Sequence, residues 1–362
     1  MMFSPSRLTL ARQKRGKSKK ELANLLGLTP QSITNFESEV VKEEPSEKTL
    51  LAISKVLEFP VSFFYMKNVD PIDLESASFR ALTKMSASKR DSALATGQLA
   101  FELNDFIETK FTLPSHNLPD LRNENPESAA VMLRQMWNLG EKPIFNMIHL
   151  LESKGIRIYF IAEDYKDVDA FSIWKNGTPF ILLNNLKSAE RSRFDAAHEL
   201  GHLVLHKHGI TQKNKEAEKE ANSFASAFLM PEVTITSQAP SLPTIANLIK
   251  LKKYWSVSLV AITYRLNKLN LLSEWQYRMI NIELNKKGFN VNEPYPMAKE
   301  TSQILNKVIT SLEKEGTKKS DIAKELGITT KELQKLIFGI SEIKGGNKGP
   351  SEISKANLHI VK

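Results

Sequence analysis

Between Ser6 and Tyr65 apolar residues return at helical spacing in short bursts, and the pattern predicts five short helices. The stretch "MKNVDPID", residues 66–73, carries two Asp, an Asn and a Pro and predicts a linker. Helical patterns resume around Lys89 to Lys110 and Pro126 to Met136, on either side of the Pro-rich turn "LPSHNLPDLRNENP". Three short runs follow, "IRIYFIA", "DAFSIW" and "PFILLNN". They are rich in β-branched and aromatic residues and bounded by Gly, Asp and Asn, so they predict the strands of a small sheet. After Pro231 helical patterns run through "LPTIANLIKLKKYW", "SLVAITYRLNKL" and "EWQYRMINIEL" to a solvated tail, "KGGNKGPSEISK". The expected fold is α+β and mostly helical. The expected units are five helices at 1–66, a linker at 67–79, a domain with the small sheet at 80–236, a helical region at 237–340 and the tail at 341–362.

The chain resembles itself at an offset of 300. Leu22, Ala23, Leu26, Gly27, Leu28, Thr29 and Ile33 meet Ile322, Ala323, Leu326, Gly327, Ile328, Thr329 and Leu333, and both stretches read as helix, Gly-containing turn, helix.

Composition adds boundaries to this plan. At 362 residues, two or three domains are expected, with ordinary hydrophobic (41%) and charged (25%) content for a globular protein. No apolar stretch approaches the length of about 20 residues that a membrane helix needs, and the first residues lack the apolar core of a signal peptide; a cytoplasmic protein with no membrane partner is the expectation. Cysteine is absent, so disulfides and thiolate metal sites are excluded and any metal must be held by His, Asp or Glu. The net charge of +9 is unevenly placed: "LARQKRGKSKK" (Leu10 to Lys20) has six basic residues and no acidic one, whereas "SEVVKEEPSEK" is rich in glutamate.

In "KSKKELANLLGLTPQSITNFES" the small Ala23 allows two helices to approach, Gly27 supplies a turn, and Pro30 suits the first turn of a new helix. With Leu22, Leu26, Leu28, Ile33 and Phe36 inside, Gln31, Ser32, Thr34 and Asn35 fall on or near the exposed face of the second helix, and the preceding basic run, Lys19 among it, is placed to meet a phosphate backbone. With "PSEKTLLAISKVLEFPVSFFY", this stretch resembles the phage-repressor (XRE) family of helix-turn-helix domains. The resemblance implies DNA as a partner and base contacts from Gln31, Ser32, Thr34 and Asn35. After Phe36 the sequence departs from the family pattern: where Glu and then Gly are usual, "FESEVVKEE" brings acidic residues that oppose phosphate binding. The copy near the C-terminus lacks the polar recognition set, so packing or dimerisation, giving a homodimer, is its expected role.

The segment "FDAAHELGHLVLHKH", residues 194–208, holds four of the seven histidines. As a helix it puts Phe194, Ala197, Gly201, Val204 and Leu205 on a core-facing stripe, with His198, Glu199 and His202 together on a neighbouring face. His-Glu-x-x-His sets two imidazoles one turn apart around a single metal, with the Glu beside its open position. His206 lies about 12 Å along the axis from His198, too far for zinc to nitrogen bonds of about 2 Å, so the third ligand must come from elsewhere. In "EAEKEANSFASAFLMP" a buried stripe of Ala217, Ala221, Phe224, Ala225 and Phe228 includes Glu218 within its arc and leaves Glu216 and Glu220 outside. A buried carboxylate needs a partner, so Glu218 is the expected third ligand, and Asn222, one turn on, is placed to hydrogen-bond a ligand. His206 and His208 read as ordinary histidines, and Arg191 and Arg193 as solvated arginines.

"RFDAAHELGHLVLH" followed by "EKEANSFASAFLMP" resembles the ImmA/IrrE zinc metallopeptidases, over about Arg80 to Pro231. The resemblance implies zinc held by His198, His202 and Glu218, and Glu199 as the catalytic acid and base. It also implies an XRE-type repressor as protein substrate; the sequence leaves open a separate repressor, the chain's own linker around Met66 to Leu74, or an antitoxin. "PFILLNN" is the expected sheet edge for an extended substrate. Two other readings stay open: a non-proteolytic XRE-type regulator whose zinc domain is a sensor, and an antitoxin-like protein with a structural zinc. The intact His-Glu-x-x-His motif favours the enzyme, because a structural zinc has no need of Glu199.

Overall fold

The computed structural model describes residues 2–41, 43–70, 72, 86–161, 170–184, 186–206, 215–337 and 359–360. Most of the expected linker at 67–79, His208, and residues 341–358 of the expected tail lie outside the described residues.

The N-terminal unit comprises α1 (Pro5–Lys14), α2 (Lys19–Leu26), α3 (Pro30–Phe36), α4 (Glu47–Leu57) and a 3₁₀ helix at Val61–Tyr65, so the fifth expected helix is the tighter form. Ser18 and Glu21 form a capping box at the start of α2, and Gly27 ends it in the left-handed region at φ 66°. Thr29 then caps α3, with Pro30 in its first turn. This short turn fixes the angle at which α3 leaves α2, and Leu8, Leu22, Ile33, Leu57 and Phe63 fill the space beneath.

The next elements are α5 (Ala87–Lys110), β1 (Phe111–Thr112), α6 (Pro126–Met136) and α7 (Met147–Ser153), then β2 (Arg157–Ile161), β3 (Ala170–Lys175) and β4 (Thr178–Asn184). The three strands form one sheet in the order β2-β4-β3, with β2 parallel and β3 antiparallel to β4. "PFILLNN" therefore supplies the central strand rather than the expected edge. Both β2 and β4 are apolar on both faces, as strands covered from both sides must be; the central place of β4 comes from pairing, since it hydrogen-bonds β2 on one edge and β3 on the other.

Alternation along these strands divides the core in two. Tyr159, Ile161, Phe171, Ile173, Phe180 and Leu182 face a layer containing α5 and the N-terminal unit. Ile158, Phe160, Ala170, Ile181 and Leu183 face the opposite layer, which contains α8 (Ala189–Leu205) and α9 (Lys215–Leu229). That second layer continues through α10 (Glu232–Ser237), α11 (Ile245–Trp255), α12 (Leu259–Lys268) and α13 (Glu274–Lys286).

The final helices, α14 (Gln303–Lys314), α15 (Lys319–Glu325) and α16 (Thr330–Leu336), return to the first layer, and their buried residues join the core of the N-terminal unit. They repeat α1 to α3 at the offset of 300, including the left-handed turn, with Gly327 at φ 61°. The use of the last helix differs. Glu332 on α16 is buried and paired with Lys14 and Arg15 of α1 and the residue after it, so this copy packs within the chain. The chain end adds a two-residue strand, β5 (His359–Ile360), antiparallel to β1, where the sequence pattern suggested only a solvated tail.

Candidate functional site

Ser188 caps α8 and sets the register of a helix that runs beneath the sheet. Ala197, Leu200, Gly201 and Val204 are buried against α9 and the strands, which turns His198, Glu199 and His202 toward one side. Gly201 permits the close approach of α9: a β-carbon there would lie 3.0 Å from Phe224 Cδ1 and 3.3 Å from Ala221 Cα. Phe224, Ala225 and Phe228 are buried as their spacing predicts, and Glu218 lies on the same buried side of α9.

His198 Nε2 and His202 Nε2 are 3.0 Å apart. Glu218 reaches both, with Oε2 at 3.4 Å from His198 Nε2 and Oε1 at 3.3 Å from His202 Nε2. Among the described residues this is the one group of three such side chains with ligand atoms converging within 4.8 Å. Tetrahedral zinc with bonds of about 2.0 Å separates its ligand atoms by about 3.3 Å, so donor type and spacing both fit. Electrostatics agree. Burial opposes charge on His198, but the hydrogen-bonded Glu218 carboxylate, with Glu199 and Asp195 nearby, raises its pKa above the usual histidine value. Burial likewise opposes ionisation of Glu218, yet the two imidazoles hold its carboxyl well below the ordinary range. The pocket is built to keep a carboxylate ionised beside positive charge.

Each imidazole is also held from behind. Asn222 Oδ1 lies 3.0 Å from His198 Nδ1, the position expected for a residue that supports a ligand. His202 Nδ1 lies 3.0 Å from His206 Nδ1, and His206 Nε2 lies 2.9 Å from Glu220 Oε2. His206 is therefore not the ordinary packing residue that its place at the helix end suggested. Arg193 is likewise not solvated: its buried guanidinium pairs with Glu300 and donates to the Ile144 carbonyl, partners far away in sequence. Arg191 is exposed, as expected.

Glu199 is buried, and Ser172 Oγ on β3 donates to its Oε2 at 2.7 Å. Sequence reasoning missed Ser172. The available signal was the alternation of "DAFSIW", which puts Ser172 on the same face as Ala170, toward α8; nothing in the sequence said that strand and helix would meet there.

Residues 151–267 match the family model for the peptidase-family IrrE N-terminal-like domain, a stretch that contains the sheet, both histidines, Glu199 and Glu218. Residues 8–64 match a helix-turn-helix family model. The chain joins a helix-turn-helix domain to an IrrE-like domain. A comparison with curated proteins gives no match. No helix among the described residues is long and apolar enough to cross a membrane.

On the helix-turn-helix domain, Gln31 and Thr34 are exposed and Ser32 and Asn35 half-exposed, as the spacing predicts. They are linked to each other and to the following loop: Gln31 Nε2 donates to Asn35 Oδ1 at 2.8 Å, and Asn35 Nδ2 donates to Glu43 Oε2 at 2.7 Å. The basic run is only partly available to a phosphate backbone. Arg12 is paired with Glu37, and Lys14 and Arg15 are paired with Glu332. Lys19 is half-exposed at 3.6 Å from Glu37, Lys17 is half-exposed and Lys20 is exposed.

Proposed function

We propose that the protein is a DNA-binding transcriptional regulator whose IrrE-like domain is a zinc-dependent endopeptidase acting on a repressor-type protein, in trans or in its own linker. Residues 1–66 form the DNA-binding unit, 67–79 the linker, 80–236 the hydrolytic unit and 237–340 the helical region that closes against both. The observation that carries the hydrolytic part is the convergence of His198, His202 and Glu218 with a buried Glu199 on the same helix face.

His198, His202 and Glu218 would hold the ion. Zinc bound in such a site supplies Lewis acidity toward a carbonyl oxygen and brings the pKa of water to about 7. Glu199 takes the proton of the attacking water and returns it to the leaving amine. Ser172 holds one oxygen of that carboxylate and so fixes its orientation. Because β3 is an edge strand and carries Ser172, an extended substrate segment adds along β3, a placement moved from the central β4. Gln31, Ser32, Thr34 and Asn35 read base edges, with Lys19 at the backbone.

The test is intact-mass spectrometry of the full chain, incubated with zinc, alone and with a panel of XRE-type repressors. Cleavage at one bond that a chelator abolishes supports the proposal. Intact partners and an intact chain across the panel, with zinc bound, count against hydrolysis and favour a sensing or structural role for the domain.

A further inference from the structure

We infer that His206 and Glu220 form a positioning chain that fixes the ring of His202 for metal binding, an inference that rests on the metal site proposed above. His202 has one nitrogen, Nε2, among the converging ligand atoms, 3.0 Å from His198 Nε2 and 3.3 Å from Glu218 Oε1. For Nε2 to offer its lone pair, a neutral ring must carry its proton on Nδ1, and that N–H needs an acceptor. The atom at 3.0 Å is His206 Nδ1. It accepts only if the His206 proton sits on Nε2, and there Glu220 Oε2 lies at 2.9 Å to receive it. One protonation pattern satisfies the whole chain: His202 donates from Nδ1 to His206, and His206 donates from Nε2 to Glu220.

The backbone supports the same arrangement. His206 is the residue at which α8 ends, turning to extended φ −121°, ψ 142°, while its N–H still bonds the His202 carbonyl at 3.1 Å. The ring thus hangs from the residue it supports. His198 is held differently, by the Asn222 amide oxygen at its Nδ1. The two imidazoles therefore have unequal supports, one a neutral amide and the other an imidazole backed by a carboxylate, so the orientation of the His202 ring depends on two linked side chains rather than one.

The experiment is zinc affinity of the full chain, read by competition with a chromogenic chelator, for the wild type, His206→Phe, His206→Asn and Glu220→Gln. Far-ultraviolet circular dichroism confirms that each variant is folded. Loss of the acceptor in His206→Phe is expected to weaken zinc binding about 10- to 100-fold. His206→Asn keeps an acceptor near the Nδ1 position and is expected to recover most of that loss, and Glu220→Gln is expected to weaken binding less than His206→Phe does. Long-range ¹H–¹⁵N spectra of the zinc-loaded wild type are expected to give the Nδ1–H tautomer for His202 and Nε2–H for His206. Equal losses in Phe and Asn variants, unchanged affinity in His206→Phe, or the Nδ1–H tautomer at His206 would each overturn the chain. A wild type that binds no zinc overturns the metal site itself, a result distinct from these.

Discussion

Gly201 lies directly against Phe224, with space for hydrogen but not for a methyl group, since a β-carbon would meet Phe224 Cδ1 at 3.0 Å and the Ala221 main chain at 3.3 Å. Phe224 cannot easily yield, being fully buried and stacked on Phe228 with ring centroids 5.5 Å apart. Gly201→Ala therefore pushes α9 outward and carries Glu218 away from the two imidazoles. We expect a stability loss of about 1–3 kcal/mol, the usual cost of overpacking, and weaker zinc binding in chelator competition. Unchanged zinc affinity would mean that helix spacing does not set the position of Glu218.

Glu332 ties the C-terminal repeat to the N-terminal one. Its Oε1 is 3.0 Å from Lys14 Nζ and its Oε2 2.9 Å from Arg15 Nη1, and the Lys14 and Glu332 side chains are each 2% exposed. Burial holds the lysine below its ordinary pKa even with Glu332 beside it. Glu332→Gln leaves an uncompensated buried ammonium, and denaturant unfolding should register a loss of about 3–5 kcal/mol. The double variant with Lys14→Met should regain most of it. A single variant as stable as the wild type would contradict a tight coupling of the two repeats.

Glu152 gives the fold a dependence on pH. It is only 3% exposed, and burial pushes its carboxyl up to about 7, although Ser302 Oγ and the Gln303 and Ile304 N–H groups donate to it and Lys307 lies near. The folded pKa is raised above the ordinary glutamate value of 4.5, so the contribution is complete below that value and is lost as pH climbs through about 7. Relative to Glu152→Gln, the wild type should lose on the order of 3 kcal/mol of stability between pH about 4.5 and about 8. Paired denaturation curves across that range check this, and a constant difference would refute it.

Glu43 accepts from Asn35 on the helix proposed to read bases, and it adds negative charge where phosphates approach. A carboxylate and a phosphate about 4 Å apart in water repel by ~1 kcal/mol. Glu43→Gln should therefore bind a selected operator about fivefold more tightly at low salt, with the gap narrowing as salt rises. Fluorescence anisotropy with the full chain measures it. Equal or weaker binding would argue that Glu43 holds Asn35 in its reading position.

Much of this was legible because local patterns settled it. The strands were visible because they are short and apolar between Gly, Asp and Asn, and Glu218 because a carboxylate on a buried stripe requires a partner. What the local pattern does not contain depends on distant residues. The central place of β4 follows from how three strands assemble, not from any one of them. Arg193 is buried because Glu300 comes to meet it, and Arg12 and Lys14 are withdrawn from the DNA face by Glu37 and Glu332. Helix geometry excludes His206 as the third ligand, but the axial spacing says nothing of its contact with His202, which depends on how the helix ends.

The most direct measurement is zinc content and substrate cleavage in the same samples of wild type and Glu199→Gln. Glu199 is not among the converging ligands, so both proteins should bind one zinc with similar affinity. Hydrolysis with Glu199 as acid and base predicts that the variant, zinc-loaded and folded, fails to cut a repressor that the wild type cuts. Equal cleavage by the two proteins would contradict it.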